Sequence, residues 1–251
     1  MTLKCSCKYI SVVKIGNSDD ENEDNILVPS LIELESETEK KFAISDGATE
    51  SIFSREWSGL LVSCFKDKPF DMVNLPLTIN AISKTWYSNI SSFNLPWYAQ
   101  EKLEIGAFAT FLGLKIDLKE QTFEAVSIGD CTLFQIRNNE FLKSFPIEKY
   151  EEFGNTPALF STNPKYQTNF EDTVKYLKVN VESGDLLILS SDAIAMWIFN
   201  RLNNGEKPWL NLEILLSCVK YINDFTCWVY DKIREYKIKN DDISLILINI
   251  E

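Results

Sequence analysis

Apolar residues along this chain fall into two kinds of run. Short stretches rich in β-branched and aromatic side chains occupy residues 9–15, 25–29, 41–45, 106–117, 122–130, 131–137 and 243–250. Their length and their Gly, Asn and Asp boundaries predict strands. Residues 174–181 alternate, Ser183-Gly184-Asp185 turns, and residues 186–191 form another apolar strand that delivers Asp192. Asn138-Asn139 predicts a hairpin into residues 141–143, and the charged stretch 35–40 a second hairpin between residues 25–29 and 41–45. From Thr49 the period becomes helical, with Ile52, Trp57, Leu60, Leu61 and Phe65 on one face. Residues 77–90 and a long region after Asn211, carrying Leu212, Leu215, Leu216, Val219, Ile222, Phe225, Val229 and Ile233, repeat that pattern. Strands in succession interrupted by paired helices predict an α+β layered sandwich rather than an alternating βαβ fold.

Four acidic segments punctuate these elements: Asn22-Glu23-Asp24-Asn25, Ser45-Asp46-Gly47-Ala48, Ser191-Asp192-Ala193 and Asn240-Asp241-Asp242-Ile243-Ser244. Three of them abut a strand-like run, where a sheet can aim carboxylates at one point. Carboxylate oxygens suit magnesium, manganese and calcium, and a pair of such ions can activate water and neutralise a phosphoryl group. The pattern points to metal-dependent hydrolysis of a phosphate ester. Taken singly, each acid also has an ordinary use: Asp46 and Asp192 as helix N-caps, residues 19–24 as a solvated loop, Gly129-Asp130 as a turn.

Composition narrows the choice. The 251 residues contain no histidine, which removes the commonest general base and the Ser-His-Asp route. A net charge of −12 repels nucleic acid and anionic membranes alike. Six cysteines in a chain of this length read as free thiols, and Cys5-Ser6-Cys7 has no second pair to complete a zinc site. No signal-peptide core and no apolar run of about 20 residues is present, so a cytoplasmic location is expected.

In register, the acidic segments together with Gly106-Ala107-Phe108-Ala109-Thr110, Val126-Ser127-Ile128-Gly129-Asp130-Cys131 and Ser183-Gly184-Asp185 resemble the PPM, or type 2C, metal-dependent serine/threonine protein phosphatases. The resemblance spans some 220 residues. It implies one domain over residues 1–251, a four-layer αββα sandwich with two antiparallel sheets face to face, and a metal site at one end. It further implies that Asp46 bridges two magnesium or manganese ions. Glu23 and the carbonyl of Gly47 would complete one ion's protein ligands, Asp192 and Asp241 would hold the other, and Asp130 with Asp192 a third. Asp46, Asp192 and Asp241 form the implied catalytic set, with a metal-bridging hydroxide attacking phosphorus in line. Asp24 is expected to orient ligands rather than bind metal, and Asp242, at the family's Asn position, to matter little. A phosphorylated protein is the implied substrate and a cognate kinase an implied partner. The chain departs from the pattern at Asp19, where many members carry a phosphate-clamping arginine, and at Thr49 of Asp46-Gly47-Ala48-Thr49 and Ala193, where glycines are usual. Lys14 and Arg55 are the cations to examine as substitutes for that clamp. A weak or inactive module that binds a phosphoprotein or kinase is the alternative reading, and a small-molecule phosphodiesterase a third.

Overall fold

The computed structural model describes residues 3–68, 70–91, 96–154 and 156–251. The chain opens with β1 (Cys5–Val12), β2 (Asn25–Leu27), α1 (Leu31–Ser36) and β3 (Glu39–Ser45), followed by three helices, α2 (Ser54–Asp67), α3 (Leu75–Ile90) and α4 (Trp97–Ile105). A run of strands comes next: β4 (Phe108–Ala109), β5 (Phe111–Asp117), β6 (Thr122–Ile128), β7 (Thr132–Arg137), β8 (Glu140–Phe145) and β9 (Phe160–Ser161). The short α5 (Phe170–Thr173) leads to β10 (Lys175–Asn180) and β11 (Leu186–Ser190). After α6 (Asp192–Asn203), α7 (Pro208–Ser217) and α8 (Tyr221–Arg234), β12 (Ile243–Ile250) closes the chain. Two antiparallel five-stranded sheets result, ordered β1-β12-β11-β7-β8 and β10-β6-β5-β3-β2, while β4 and β9 pair separately.

Continuous apolar strands belong where both faces are covered. In β12, Ile246, Ile248 and Ile250 face the other sheet with Leu187 and Leu189, while Ile243, Leu245 and Leu247 face α6 and α8 through Ile194, Ile198, Phe225 and Val229. On the opposite side, Ala43, Phe111 and Val126 pack under α2 and α3 against Trp57, Leu61, Phe65, Ile79 and Trp86. Three apolar layers therefore separate four structural ones. Trp86, Trp197 and Trp209 are buried in them, with Trp228 packed alongside, as expected of core aromatics.

Several elements differ from the sequence expectation. The first strand lies over Cys5–Val12 rather than residues 9–15, because it pairs along its whole length with β12. Where a hairpin is predicted at 35–40, the chain forms α1, started by Ser30, whose side chain accepts from the Glu33 amide while Glu33 returns a bond to the Ser30 amide. This capping box stabilises a helix too short to show a period. Lys40, 1% exposed, donates to the carbonyls of Glu33 and Glu37 and so closes that helix. The long strand predicted at 106–117 breaks at Thr110, and the long helical region after Asn211 is two helices. The hairpin at Asn138-Asn139 forms, with φ of 53° and 59° at the two residues.

Strand register brings the acidic segments together. Asn25 pairs with Ser45, Ile44 with Leu112, and Phe111 with Ile128, so Asp24, Asp46 and Asp130 leave one sheet at the same end. Ser190 pairs with Thr132 and with Leu245, which brings Asp192 and Asp241-Asp242 to that end of the other sheet. Gly129-Asp130-Cys131 crosses between the sheets there.

Gly129 has φ +92°, and a Cβ on it would stand 2.6 Å from Thr110 Cγ2. Gly184 has a similar φ of +89° with open space around it. Gly129→Ala is expected to lower stability by about 2 kcal/mol or more, and Gly184→Ala by about 1 kcal/mol. Chemical denaturation of both variants measures the difference; equal losses would show that the contact with Thr110 is loose.

Candidate functional site

Asp46 emerges from β3 onto the point where the predicted long strand breaks. The Thr110 amide donates to the Asp46 carbonyl (2.9 Å), the Asp46 amide to Thr110 Oγ1 (3.4 Å), and Ser45 Oγ to the Thr110 carbonyl (2.6 Å). Next along the chain, the Gly47 amide donates to the Glu23 carbonyl (3.2 Å) and the Ala48 amide to the Phe108 carbonyl (2.9 Å). A Cβ at Gly47 would come within 2.9 Å of the Ser54 backbone, so only glycine lets this loop lie against the start of α2. The break in the strand is thus what supports the Asp46-Gly47 turn.

On the other sheet, the Ser191 amide donates to the Ser244 carbonyl (3.0 Å) and the Ser244 amide to Ser191 Oγ (2.9 Å). This pairing locks the end of β11 to the start of β12. Ser191, not Asp192, takes the N-cap position of α6, and Asp192 is its first residue, where the helix dipole favours a carboxylate. Lys239 Nζ lies 3.1 Å from Asp192 Oδ2 and 2.7 Å from Asp241 Oδ2.

The two acids of the Asn22-Glu23-Asp24 segment take unlike positions. Glu23 accepts from Ser54 Oγ (2.5 Å), Thr49 Oγ1 (2.7 Å) and Lys14 Nζ (3.1 Å), so its carboxylate is held by the protein. Asp24 is 7% exposed, and neither of its oxygens has a hydrogen-bond partner among the described residues. The Ser244 hydroxyl, which bonds Ser11 Oγ (3.4 Å), lies close enough to favour the charged form of Asp24 without making a well-formed hydrogen bond to it. Asp242 is buried as well, and accepts from the Lys14 amide (2.8 Å) and the Glu23 amide (2.9 Å). It ties the acidic loop and the end of β1 to the start of β12, a structural duty not expected from its position in the motif.

Asp19 is exposed in a single 3-10 turn, and Arg55 donates to the carbonyls of Asp19 and Asp20. Arg55 Nη1 is therefore engaged by that turn. Lys14, its side chain 15% exposed, lies beside Thr49 of the Asp46-Gly47 loop (3.2 Å).

Burial and mutual repulsion dominate the electrostatics of the metal-free chain. Burial raises Asp24 to about 8, with Asp242, Asp192 and Asp241 adding to it and the Ser244 hydroxyl opposing. Asp46 is pushed well above the usual carboxylate range by burial first, then by Asp24, Asp192, Asp241 and Asp130. Burial and Asp192 raise Asp130 to about 7. Asp192 is raised by burial and Asp241, against the Lys239 ammonium. Asp24, Asp46, Asp130, Asp192 and Asp241 thus share one electrostatic basin, whereas Glu23 is turned toward Lys14.

Among the described residues, no three Cys, Asp or Glu side chains are gathered so as to hold a metal ion as they stand. Lysines account for part of this, since Glu23 and the Asp192–Asp241 pair direct oxygens to Lys14 and Lys239. The donor chemistry nevertheless fits a hard divalent ion. All the groups are oxygen ligands, and Asp24 Oδ1, Asp24 Oδ2 and Asp192 Oδ1 are buried without a partner, an arrangement that costs free energy until a cation or proton satisfies it. Sequence reasoning passed over Lys239 and the central position of Asp24; a lysine two residues before Asp241 was the visible signal for the first.

No protein-family model matches the chain, and no curated protein matches it in sequence. Solved structures do match over nearly its full length. RsbX in complex with magnesium is 18% identical, with 98% of this chain and 96% of that one covered and a TM-score of 0.57. The photosystem II phosphatase PBCP is 15% identical, with 98% and 99% covered and a TM-score of 0.60. The catalytic domain of the serine threonine protein phosphatase PstP, in complex with 2 manganese ions, is 14% identical, with 99% of each chain covered and a TM-score of 0.59. The fold is that of the type 2C phosphatases.

Two outcomes follow from the buried acids. Because their folded pKa values lie above the unfolded aspartate value near 4, the folded metal-free chain binds protons more tightly than the unfolded one. That contribution to stability is complete below about pH 4 and is lost as pH rises through 7 to 8, the values of Asp130 and Asp24. Asp24→Asn should flatten this trend, and the melting temperature of metal-free protein between pH 5.5 and 8 tests it; a wild-type curve that rises over that range would contradict it. Asp242→Ala should lower stability by about 2 to 3 kcal/mol, since it strands two backbone amides. Denaturation that leaves Asp242→Ala no weaker than Asp241→Ala would deny Asp242 its tethering role.

Proposed function

We propose that this protein is a divalent-metal-dependent phosphatase that hydrolyses serine and threonine phosphomonoesters on protein substrates. The observation that carries the reading is the partnerless oxygens of Asp24 and Asp192, buried in the same basin as Asp46 at one end of a type 2C sandwich. Asp46, Asp24, Asp192 and Asp241, with the Gly47 carbonyl and Asp130, would hold magnesium or manganese ions. Asp24 is included because its oxygens are unpaired, while Glu23 would join only by giving up Ser54, Thr49 and Lys14. When bound, such ions supply a nucleophilic water at neutral pH and offset charge on the phosphoryl oxygens.

The protein's own part is positioning. Thr110 and Ser45 hold the Asp46-Gly47 turn from the core side, and the Ser191–Ser244 pairing sets Asp192 against Asp241. Lys14 is the cation beside the Asp46-Gly47 loop and is the group we assign to meet a substrate phosphate, which it would do by turning from Glu23, since Arg55 Nη1 holds the Asp19 turn and Asp19 would repel a phosphate dianion. A cytoplasmic setting fits the thiols: among the described residues, which include all six cysteines, none forms a disulfide. No helix of the described residues is long and apolar enough to cross a membrane. Binding of a phosphoprotein or kinase without turnover is the second reading, favoured by the lysines already paired with the acids.

Asp46→Asn should reduce manganese-dependent hydrolysis of p-nitrophenyl phosphate by about a hundredfold or more while the circular dichroism spectrum is kept, because an amide cannot supply charge to the ions. Undiminished turnover in the purified variant would remove Asp46 from the site. Manganese bound by wild-type protein with no turnover on phosphomonoesters or phosphopeptides would favour the second reading, and cleavage of phosphodiesters alone a diesterase.

A further inference from the structure

Lys239 occupies the C-terminal half of the acidic basin. Its ammonium bridges Asp192 Oδ2 (3.1 Å) and Asp241 Oδ2 (2.7 Å), and Asp192 Oδ1 behind it is buried with no hydrogen-bond partner among the described residues. The surrounding loop aims the side chain there. Ile238 is buried and its amide bonds the Lys232 carbonyl (3.3 Å), while the Asp241 amide bonds the Lys239 carbonyl (3.0 Å), so the backbone on both sides of Lys239 is anchored. The side chain itself is 54% exposed. It can therefore leave the acids by rotation about its own bonds, without repacking the core.

We infer that Lys239 is a built-in competitor for the metal: its ammonium holds Asp192 and Asp241 in the metal-free chain and must swing into solvent before a divalent ion is bound between them. The inference rests on reading this basin as a metal site. An ammonium is a compact point charge with three donors and serves as a monovalent stand-in between two carboxylates. A divalent ion at the same distance gains twice the Coulomb attraction, so it wins once its concentration is high enough. The lost ion pairs subtract from its binding, and Lys239 thereby sets the cation concentration at which the site fills. The ordinary alternative is a half-exposed salt bridge with no bearing on metal, of the kind worth little. Lys237 supplies the comparison, since it stands two residues away and pairs with Glu235 (2.8 Å) instead.

The test is calorimetric titration of manganese into wild-type protein, Lys239→Met and Lys237→Met. Lys239→Met should bind manganese about tenfold more tightly, and Lys237→Met within about twofold of wild type. The metal-free Lys239→Met protein should also melt at a lower temperature, having lost the counter-charge of two acids. A second measurement needs no variant: acetylation of wild-type lysines with an amine-reactive reagent, read by mass spectrometry, should label Lys239 severalfold faster when magnesium is present. Equal manganese affinity in all three proteins, or labelling of Lys239 that magnesium leaves unchanged or slows, would overturn the inference while leaving the metal site standing. No manganese bound by either wild type or Lys239→Met would overturn the metal reading and this inference together.

Discussion

Carboxylates that repel one another out of water are the constraint to which the rest of this structure answers. Desolvation alone disfavours each charge, and every neighbour of the same sign disfavours it further. A sandwich end that gathers Asp24, Asp46, Asp130, Asp192 and Asp241 therefore has to be held together by something other than those side chains. The holding is done by backbone. Antiparallel register fixes where each strand ends, and short tethers fix what lies beyond the ends: Thr110 to Asp46, Ser191 to Ser244, and Asp242 to the amides of Lys14 and Glu23. The three apolar layers behind them make this rigid, so that the carboxylates cannot relax apart by moving their strands.

Asp242 shows how a buried acid can serve structure within a cluster of carboxylates. It is as buried as any acid of the site, yet each of its oxygens receives a backbone amide. Asp24 has equal burial and no such donors. The contrast separates an acid satisfied by the fold from one that the fold leaves unsatisfied. Glu23 stands between them, with three side-chain donors including an ammonium.

Much of this was legible along the chain. Apolar runs such as 243–250 and 186–191 announce strands covered on both faces, and the acidic segments at their ends point to one end of a sandwich. What could not be read was set by contacts between distant residues. The helix at Leu31–Ser36 depends on a capping box and on Lys40, and its sequence alone looks like a charged hairpin. The break at Thr110 depends on β4 leaving the sheet to pair with β9, and no local residue demands it. The unlike surroundings of Glu23 and Asp24 depend on Ser54 and Thr49, which reach Glu23 from the next loop and helix. Motif spacing places both acids at the site but does not say which one faces its centre.

The departures from the usual type 2C pattern acquire a common sense in this setting. Ala193 is buried in the first turn of α6 and packs into the core beneath the site, so a methyl group is accommodated where glycine is usual. Gly47 is retained where a Cβ would strike Ser54, whereas Thr49, where glycine is usual, has room to donate its hydroxyl to Glu23 Oε2 (2.7 Å). The loops therefore keep glycine where approach distance requires it. Charge has been altered more than shape: an acid occupies position 19, Lys14 just after β1 pairs with Glu23, and Lys239 reaches into the basin from the loop between α8 and β12. With the Lys239 ammonium paired to Asp192 and Asp241, the basin is less starved of positive charge than five bare carboxylates would be. On the proposed metal reading, a divalent ion would be bound by exchange against Lys239 rather than by filling an empty anionic hole, and the affinity of the site would depend on that lysine as well as on its aspartates.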